Sequence, residues 1–314
     1  MKKTEILIVG SGAVGSYFGG KLVQEKTRVS ALCRSDFEIA KERGLEIQSY
    51  KGNFIFKPAE VVKDAAQLSV APDYIVVCLK VLPEISIADI IKEAVGPDTA
   101  IVLIQNGINI EKEVAEAFPE NELISGIAFI AISRIQPGIA KHTGSGKLIL
   151  GNYPQGVTDK TRFLADCWLK AEVPCDLSEK VTRDRWQKMV WNAAFNPISV
   201  LGGRADSLQM VNVPESENLV KQVMKEVLIL AKATGNELPE KLIDGIIAGN
   251  RKMRPFKTSM LVDYEMGRSM EVDAILGNAI SIARELNIDV PFLESLFGLL
   301  KLQDAVIKTR DNSK

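Results

Sequence analysis

The chain has 314 residues, 46% apolar and 25% charged, and its 39 basic and 40 acidic residues give a formal net charge of −1. That length exceeds what one hydrophobic core usually fills, so two domains of an ordinary globular kind are expected. The charge balance offers no field for nucleic acid or an anionic membrane, and no apolar run is long enough to span a bilayer.

In chain order, Ile6–Gly10 reads as a buried strand, followed by a helix from Ala13 to Gln24 and a strand at Arg28–Cys33. A helix follows Ser35, and polar–apolar alternation from Leu45 to Phe56 around Lys51-Gly52-Asn53 predicts a hairpin. The pattern continues with a strand at Tyr74–Leu79, a helix near Ser86–Ala94, a strand at Ala100–Ile104 and a helix near Ile110–Phe118. Further strands are predicted from Glu122 to Gly151, with turns at Pro137-Gly138 and Gly144-Ser145-Gly146. Beyond Leu177 the periodicity is helical, over Glu179–Ser199, 215–234, 238–249, 267–286 and Pro291–Thr309. Strands alternating with helices imply βαβ units and a doubly wound, mostly parallel α/β sheet over residues 1–177, with an all-α domain over 178–314.

Gly10-Ser11-Gly12-Ala13-Val14-Gly15 is a GxGxxG motif between the first strand and the first helix. Gly10 suits the tight turn, Gly12 admits a pyrophosphate close to the backbone, and Gly15 lets helix and strand pack. The diphosphate then lies on unpaired N–H groups at the positive end of the helix dipole. An NAD site usually ends its second strand in a carboxylate, whereas here the strand runs into Arg34. A guanidinium there matches a 2′-phosphate, so NADPH/NADP+ is expected; Asp36, two residues on, is expected to point away. Lys80 and Asn106 follow later parallel strands, on the side where open α/β sheets bind ligands, and are candidate cofactor or substrate contacts.

Lys188, Asn192 and Asn196 recur every fourth residue among Met189, Val190, Trp191, Ala193 and Phe195. They form one polar stripe on an otherwise apolar helix. One ammonium and two amides, with no carboxylate between residues 188 and 196, suit an anionic, hydroxylated small molecule; a solvent-facing stripe is the alternative. Glu271 precedes an apolar helical segment, either as a carboxylate at the edge of a site or as an acid favoured by the helix dipole. The single histidine, His142, lies in a strand-and-turn setting and reads as structural. With one histidine and no clustered thiols or carboxylates, no metal site is expected. Cys33, Cys78, Cys167 and Cys175 have no CxxC spacing and read as buried thiols. Together with an amino-terminal apolar run too short for a signal peptide, this predicts a cytoplasmic location.

The glycine motif, Lys80, Gln105-Asn106-Gly107, Lys188…Asn192…Asn196-Pro197 and Ser259-Met260-Leu261…Glu271-Val272-Asp273 together resemble the ketopantoate reductase family over nearly the whole chain. The resemblance implies a Rossmann domain followed by a helical domain like that at the C-terminus of 6-phosphogluconate dehydrogenase. It implies NADPH-dependent reduction of 2-dehydropantoate to (R)-pantoate, a step towards coenzyme A. It further implies that Lys188 is the catalytic lysine and that Glu271 contacts the substrate hydroxyl and assists catalysis. Asn192, Asn196 and Ser259 then hold the substrate, Arg34 the 2′-phosphate, and Lys80 and Asn106 the cofactor side of the site, with Asn106 also reaching substrate. Two alternatives stand: a related D-2-hydroxyacid dehydrogenase acting on another branched 2-oxoacid, and a non-catalytic NADP(H) sensor. The apolar faces of 215–234 and 291–309 are candidates for a homodimer contact, although packing within the domain is their commoner use.

Overall fold

The structure is a computed structural model that describes residues 2–311. By its internal contacts the chain forms two compact units: Met1–Lys80, Glu84–Gln105 and Ile110–Val181 make the first, and Val81–Pro83, Asn106–Asn109 and Thr182–Lys314 the second. The first unit runs β1 (Thr4–Val9), α1 (Ala13–Lys21), β2 (Thr27–Leu32), α2 (Phe37–Glu42), β3 (Leu45–Ser49), β4 (Phe54–Phe56), β5 (Val61–Val62), β6 (Tyr74–Val77), α3 (Ile87–Ile91), β7 (Ala100–Ile104), α4 (Lys112–Ala117), β8 (Leu123–Gln136), β9 (Ile139–Asn152), α5 (Asp159–Lys170) and β10 (Cys175–Leu177).

Its sheet has the order β4-β3-β9-β8-β7-β6-β1-β2-β5, with β10 beside β9. From β5 to β8 every pairing is parallel. Strands β6 and β7 are buried along their whole length, which is why they read as unbroken apolar runs rather than as alternation. The chain leaves β1 towards β2 on one side and returns to β6 on the other. The carboxyl end of β1 is therefore the topological switch point, and Gly10 follows it directly. The predicted hairpin is present: Leu45 pairs with Phe56 and Ile47 with Phe54 in antiparallel register, and β3 adds in parallel to β9.

The structure departs from the sequence pattern at several points. Gly144-Ser145-Gly146 is not a turn but an irregularity inside β9, where the register shifts opposite Phe129/Ile130. Ser145 and Gly146 take positive φ values of 58° and 106°, so an extra residue is absorbed as a bulge without reversing the chain. The first helix stops at Lys21, and the sixth strand ends at Val77 rather than Leu79. Helix α5 was not foreseen. It buries Trp168, whose indole N–H donates to the Phe18 carbonyl at 3.1 Å, in the core of this unit.

The second unit is helical: α6 (Val181–Leu201), α7 (Gln209–Asn212), α8 (Pro214–Ala233), α9 (Lys241–Lys252), α10 (Ser259–Glu265), α11 (Asn278–Glu285) and α12 (Pro291–Asp311), with a π-helical turn at Asp273–Gly277 leading into α11. The segment predicted as helix 267–286 is therefore helical only from Val272, because Gly267 takes φ +65° and closes α10. Phe195, Val223, Met224, Leu230, Leu261, Leu276 and Leu293 make the centre of a core separate from that of the sheet. Among the described residues no helix is long and apolar enough to cross a membrane.

Candidate functional site

In the sheet unit the glycine motif forms a cradle. Gly10 has φ +87°, and a Cβ on Gly15 would lie 2.2 Å from the Gly10 carbonyl oxygen, so neither position accepts a side chain in this backbone. Gly12 differs, since nothing lies within 4 Å of where its Cβ would be. Gly12 is also the N-cap of α1, and no side chain caps that helix. Ala13 and Val14 open the first turn of α1. The hydroxyl of Ser11 is buried and has no hydrogen-bond partner in the protein. An orphaned hydroxyl, uncapped N–H groups and open space above a glycine together fit the phosphates of a dinucleotide.

Arg34 follows β2, is exposed and makes no hydrogen bond or ion pair among the described residues. Asp36 turns inward, where its carboxylate takes an ion pair from Arg134 at 2.5 Å. Burial first, and the nearby Asp36 carboxylate second, hold the Cys33 thiol up at about 11. Lys80 is half-buried, three residues past β6.

His142 is enclosed in the same unit, between the rings of Tyr17 and Tyr50 at 4.5 and 5.0 Å. Its Nε2 lies 3.2 Å from the Ser145 carbonyl and its Nδ1 2.9 Å from the Ser49 hydroxyl. A carbonyl only accepts, so Nε2 carries the proton and Nδ1 accepts from Ser49. Burial holds the ring below the ordinary histidine range. Its bonds and ring contacts all lie within the sheet unit.

The helical unit assembles a second constellation. Lys188 Nζ donates to Asn106 Oδ1 at 2.8 Å, and Asn106 Nδ2 donates to Glu271 Oε2 at 3.2 Å. Glu271 Oε1 also accepts from the backbone N–H of Val81 at 3.0 Å. Three residues far apart in the chain thus form one hydrogen-bonded line of ammonium, amide and carboxylate. Burial, and then the positive charge of Arg185, bring the Lys188 ammonium down to about 7, against the opposing pull of Glu271. A lysine that titrates near neutrality can give up a proton at physiological pH, which an ordinary surface lysine does reluctantly.

Asn192 and Asn196 continue along the same face of α6. The side chain of Asn192 has no partner among the described residues, and Asn196 Oδ1 is buried without one. Pro197 lies inside α6 and supplies no N–H, and Ser199 Oγ donates to the Asn196 carbonyl at 2.7 Å. Ser199 also shares a hydrogen bond of 2.7 Å with Thr258, which caps α10 by accepting from Leu261 N–H. Ser259, the first residue of α10, is exposed and makes no hydrogen bond to the Lys188–Asn106–Glu271 line.

Two separate family models cover the chain. That described as ketopantoate reductase PanE/ApbA matches residues 6–155, and that of its C-terminal part matches residues 180–304. The chain belongs to the ketopantoate reductase family. It is 31% identical to the 2-dehydropantoate 2-reductase of Nostoc sp., over 98% of each chain. The crystal structure of 2-dehydropantoate 2-reductase from Methylococcus capsulatus is 44% identical, with a TM-score of 0.91 over 96% of this chain and 97% of that one. The same two-part fold recurs in D-mandelate dehydrogenase, seen with NADH and anilino(oxo)acetate, at 20% identity and a TM-score of 0.87 over 97% and 100% of the two chains. Ketopantoate reductases are NAD(P)H-dependent oxidoreductases, and the resemblance in fold class extends to both the Rossmann sheet and the helical domain.

Arg185, Asn278 and the Val81 backbone are not singled out by the sequence. Arg185 is buried, and its Nη1 donates to the Gly107 carbonyl at 3.1 Å; Asn278 Nδ2 donates to the Ile108 carbonyl at 2.8 Å. Arg185 stands three residues before Lys188 and so shares its helix face, a spacing that was available to find it. Nothing near Asn278 or Val81 in the sequence signals their part.

Proposed function

We propose that this chain reduces 2-dehydropantoate to (R)-pantoate with NADPH, residues 1–177 binding the cofactor and 178–314 carrying the substrate and catalytic groups. The observation that carries the reading is the Lys188–Asn106–Glu271 line, with its ammonium brought down to about 7. Bound NADPH supplies hydride to the C2 carbonyl of the substrate. Lys188 stabilises the negative charge that builds on the carbonyl oxygen and donates the proton that completes the alcohol. Asn106 holds the ammonium in place, and Glu271 orients Asn106 and accepts from the substrate hydroxyl. Asn192, Asn196 and Ser259 bind substrate, and the orphaned Asn196 Oδ1 favours one bearing a hydroxyl donor. A branched 2-oxoacid without that hydroxyl leaves such an acceptor unpaired, which is the stronger form of discrimination. Gly10, Ser11, Gly12, Ala13, Val14 and Gly15 would cradle the phosphates, Lys80 would contact the cofactor, and Asn106 would contact cofactor and substrate.

The decisive assay follows loss of reduced nicotinamide with 2-dehydropantoate, beside NADH and beside 2-oxoisovalerate. Turnover restricted to NADPH and 2-dehydropantoate is expected. Preference for 2-oxoisovalerate moves the chain to a D-2-hydroxyacid dehydrogenase, and NADPH binding without any turnover moves it to a sensor.

The exposed, unpaired guanidinium of Arg34 supports the choice of NADPH over NADH, because Asp36 is already neutralised by Arg134. Arg34→Ala is expected to weaken NADPH about 10- to 100-fold, the scale of one or two charge-assisted hydrogen bonds, and to leave NADH unchanged. Nucleotide titration by fluorescence checks this, and an equal loss for both nucleotides removes Arg34 from 2′-phosphate recognition.

The pH profile gives a further test. Lys188 is protonated below about 7 and neutral above it, so kcat/KM should be level on the acid side and fall as pH rises through about 7. A profile flat to pH 9 contradicts the role of Lys188 as proton donor.

A further inference from the structure

Asn106 joins the ammonium to the carboxylate, yet it sits on a short segment, Asn106–Asn109, that follows β7 and belongs to the helical unit. Such a connection holds a side chain in register only if its backbone is fastened. Three fastenings are present. Arg185 Nη1 donates to the Gly107 carbonyl at 3.1 Å, and Asn278 Nδ2 donates to the Ile108 carbonyl at 2.8 Å. Gly107 itself has φ +103° and lies so close to the π-helical turn that a Cβ there would stand 2.5 Å from the Ala274 carbonyl oxygen.

We infer that Arg185 is the positioning residue of the site: it clamps the segment that carries Asn106 and supplies the fixed positive charge beside Lys188. The inference rests on the reading of Lys188 as the proton donor. The guanidinium suits the double task because it stays charged at any working pH and its planar donors hold a carbonyl in a defined direction. Several groups act on Lys188, and Asp184 stands one turn before it on the same helix. Arg185 faces it from one turn earlier on α6, Asn106 from the loop after β7, and Glu271 from the segment before α11. Arg185 and Glu271 push its titration in opposite senses, so removing one charge has a signed consequence.

The test compares Arg185→Met and Arg185→Lys in the full chain, with Lys188→Met measured alongside. Arg185→Met is expected to lower kcat about 10-fold, since a small displacement of a positioned group has effects of that order or larger. Its alkaline limb should move to higher pH. Arg185→Lys keeps the charge but not the planar donors, so its limb should stay in place while kcat remains depressed. A merely structural role predicts a lower melting temperature with an unmoved limb in both variants, and that result overturns the inference. So does an Arg185→Met enzyme with unchanged kcat and limb. If Arg185→Met does not fold, Arg185→Lys decides: a depressed kcat on an unmoved limb at the wild-type melting temperature supports the clamp, and wild-type kinetics or a lowered melting temperature overturns it. Normal turnover in Lys188→Met instead defeats the acid reading itself, which separates the two failures.

Discussion

Lys188→Met should lose at least ~10²-fold in kcat, the contribution expected of a positioned general acid, while melting no lower than the wild-type protein at neutral pH. The two halves of this expectation come from the same burial. The folded state holds the ammonium at about 7, well below its ordinary value, so between these two ranges the unfolded chain binds a proton that the native chain lacks. Stability therefore rises with pH across that window, and the native state is at a disadvantage on its neutral and acid side. Methionine has similar length and no charge, so it removes this disadvantage. The substitution also unpairs Asn106 Oδ1, which limits the gain. A large loss of turnover with no loss of stability identifies a group kept for chemistry. Turnover near the wild-type level removes Lys188 from the mechanism, and a collapse in melting temperature reassigns it to the fold.

Gly12→Ala and Gly15→Ala should both weaken NADPH on the order of 10²-fold, equivalent to about 2.7 kcal/mol, but for different reasons. A methyl on Gly12 enters open space in the protein, so the variant should fold and melt normally. Its penalty falls on the pyrophosphate that must approach the backbone there. A methyl on Gly15 meets the Gly10 carbonyl oxygen at 2.2 Å and the Cys78 Cβ at 3.2 Å, so α1 must shift from the sheet. Overpacking of this kind costs about 1–3 kcal/mol, so Gly15→Ala should lose stability as well as affinity. Nucleotide titration paired with thermal melts separates the two. Wild-type NADPH affinity in Gly12→Ala would falsify the placement of the pyrophosphate over that residue.

The parallel strands were legible because burial on both faces writes itself as consecutive apolar residues, as in Ile101, Val102, Leu103 and Ile104. The long helices were legible from their repeat, although the ends shifted by a few residues where capping rather than periodicity decides. The bulge at Ser145-Gly146 was not, since a glycine-rich triplet permits both a turn and a bulge until the partner strand is known. Helix α5 was hidden by polar residues facing outward along Asp159–Lys170.

For the candidate site, the residue types and spacings along one element were enough to propose the glycine motif, Arg34 and the α6 stripe as candidates. Each of these is local: a turn demands its glycines, a strand end presents its next side chain, and a helix repeats its face every fourth residue. What joins Lys188 to Glu271 is not local. Asn106 and Lys188 are 82 positions apart and Asn106 and Glu271 165 apart, and no periodicity relates them. Their meeting depends on the backbone clamps of Arg185 and Asn278 and on the close approach of Gly107 to Ala274, all of which exist only once the helical core has packed. The candidate residues are thus legible in the chain, while the lowered lysine and its bridged carboxylate are consequences of burial and proximity that tertiary structure alone creates.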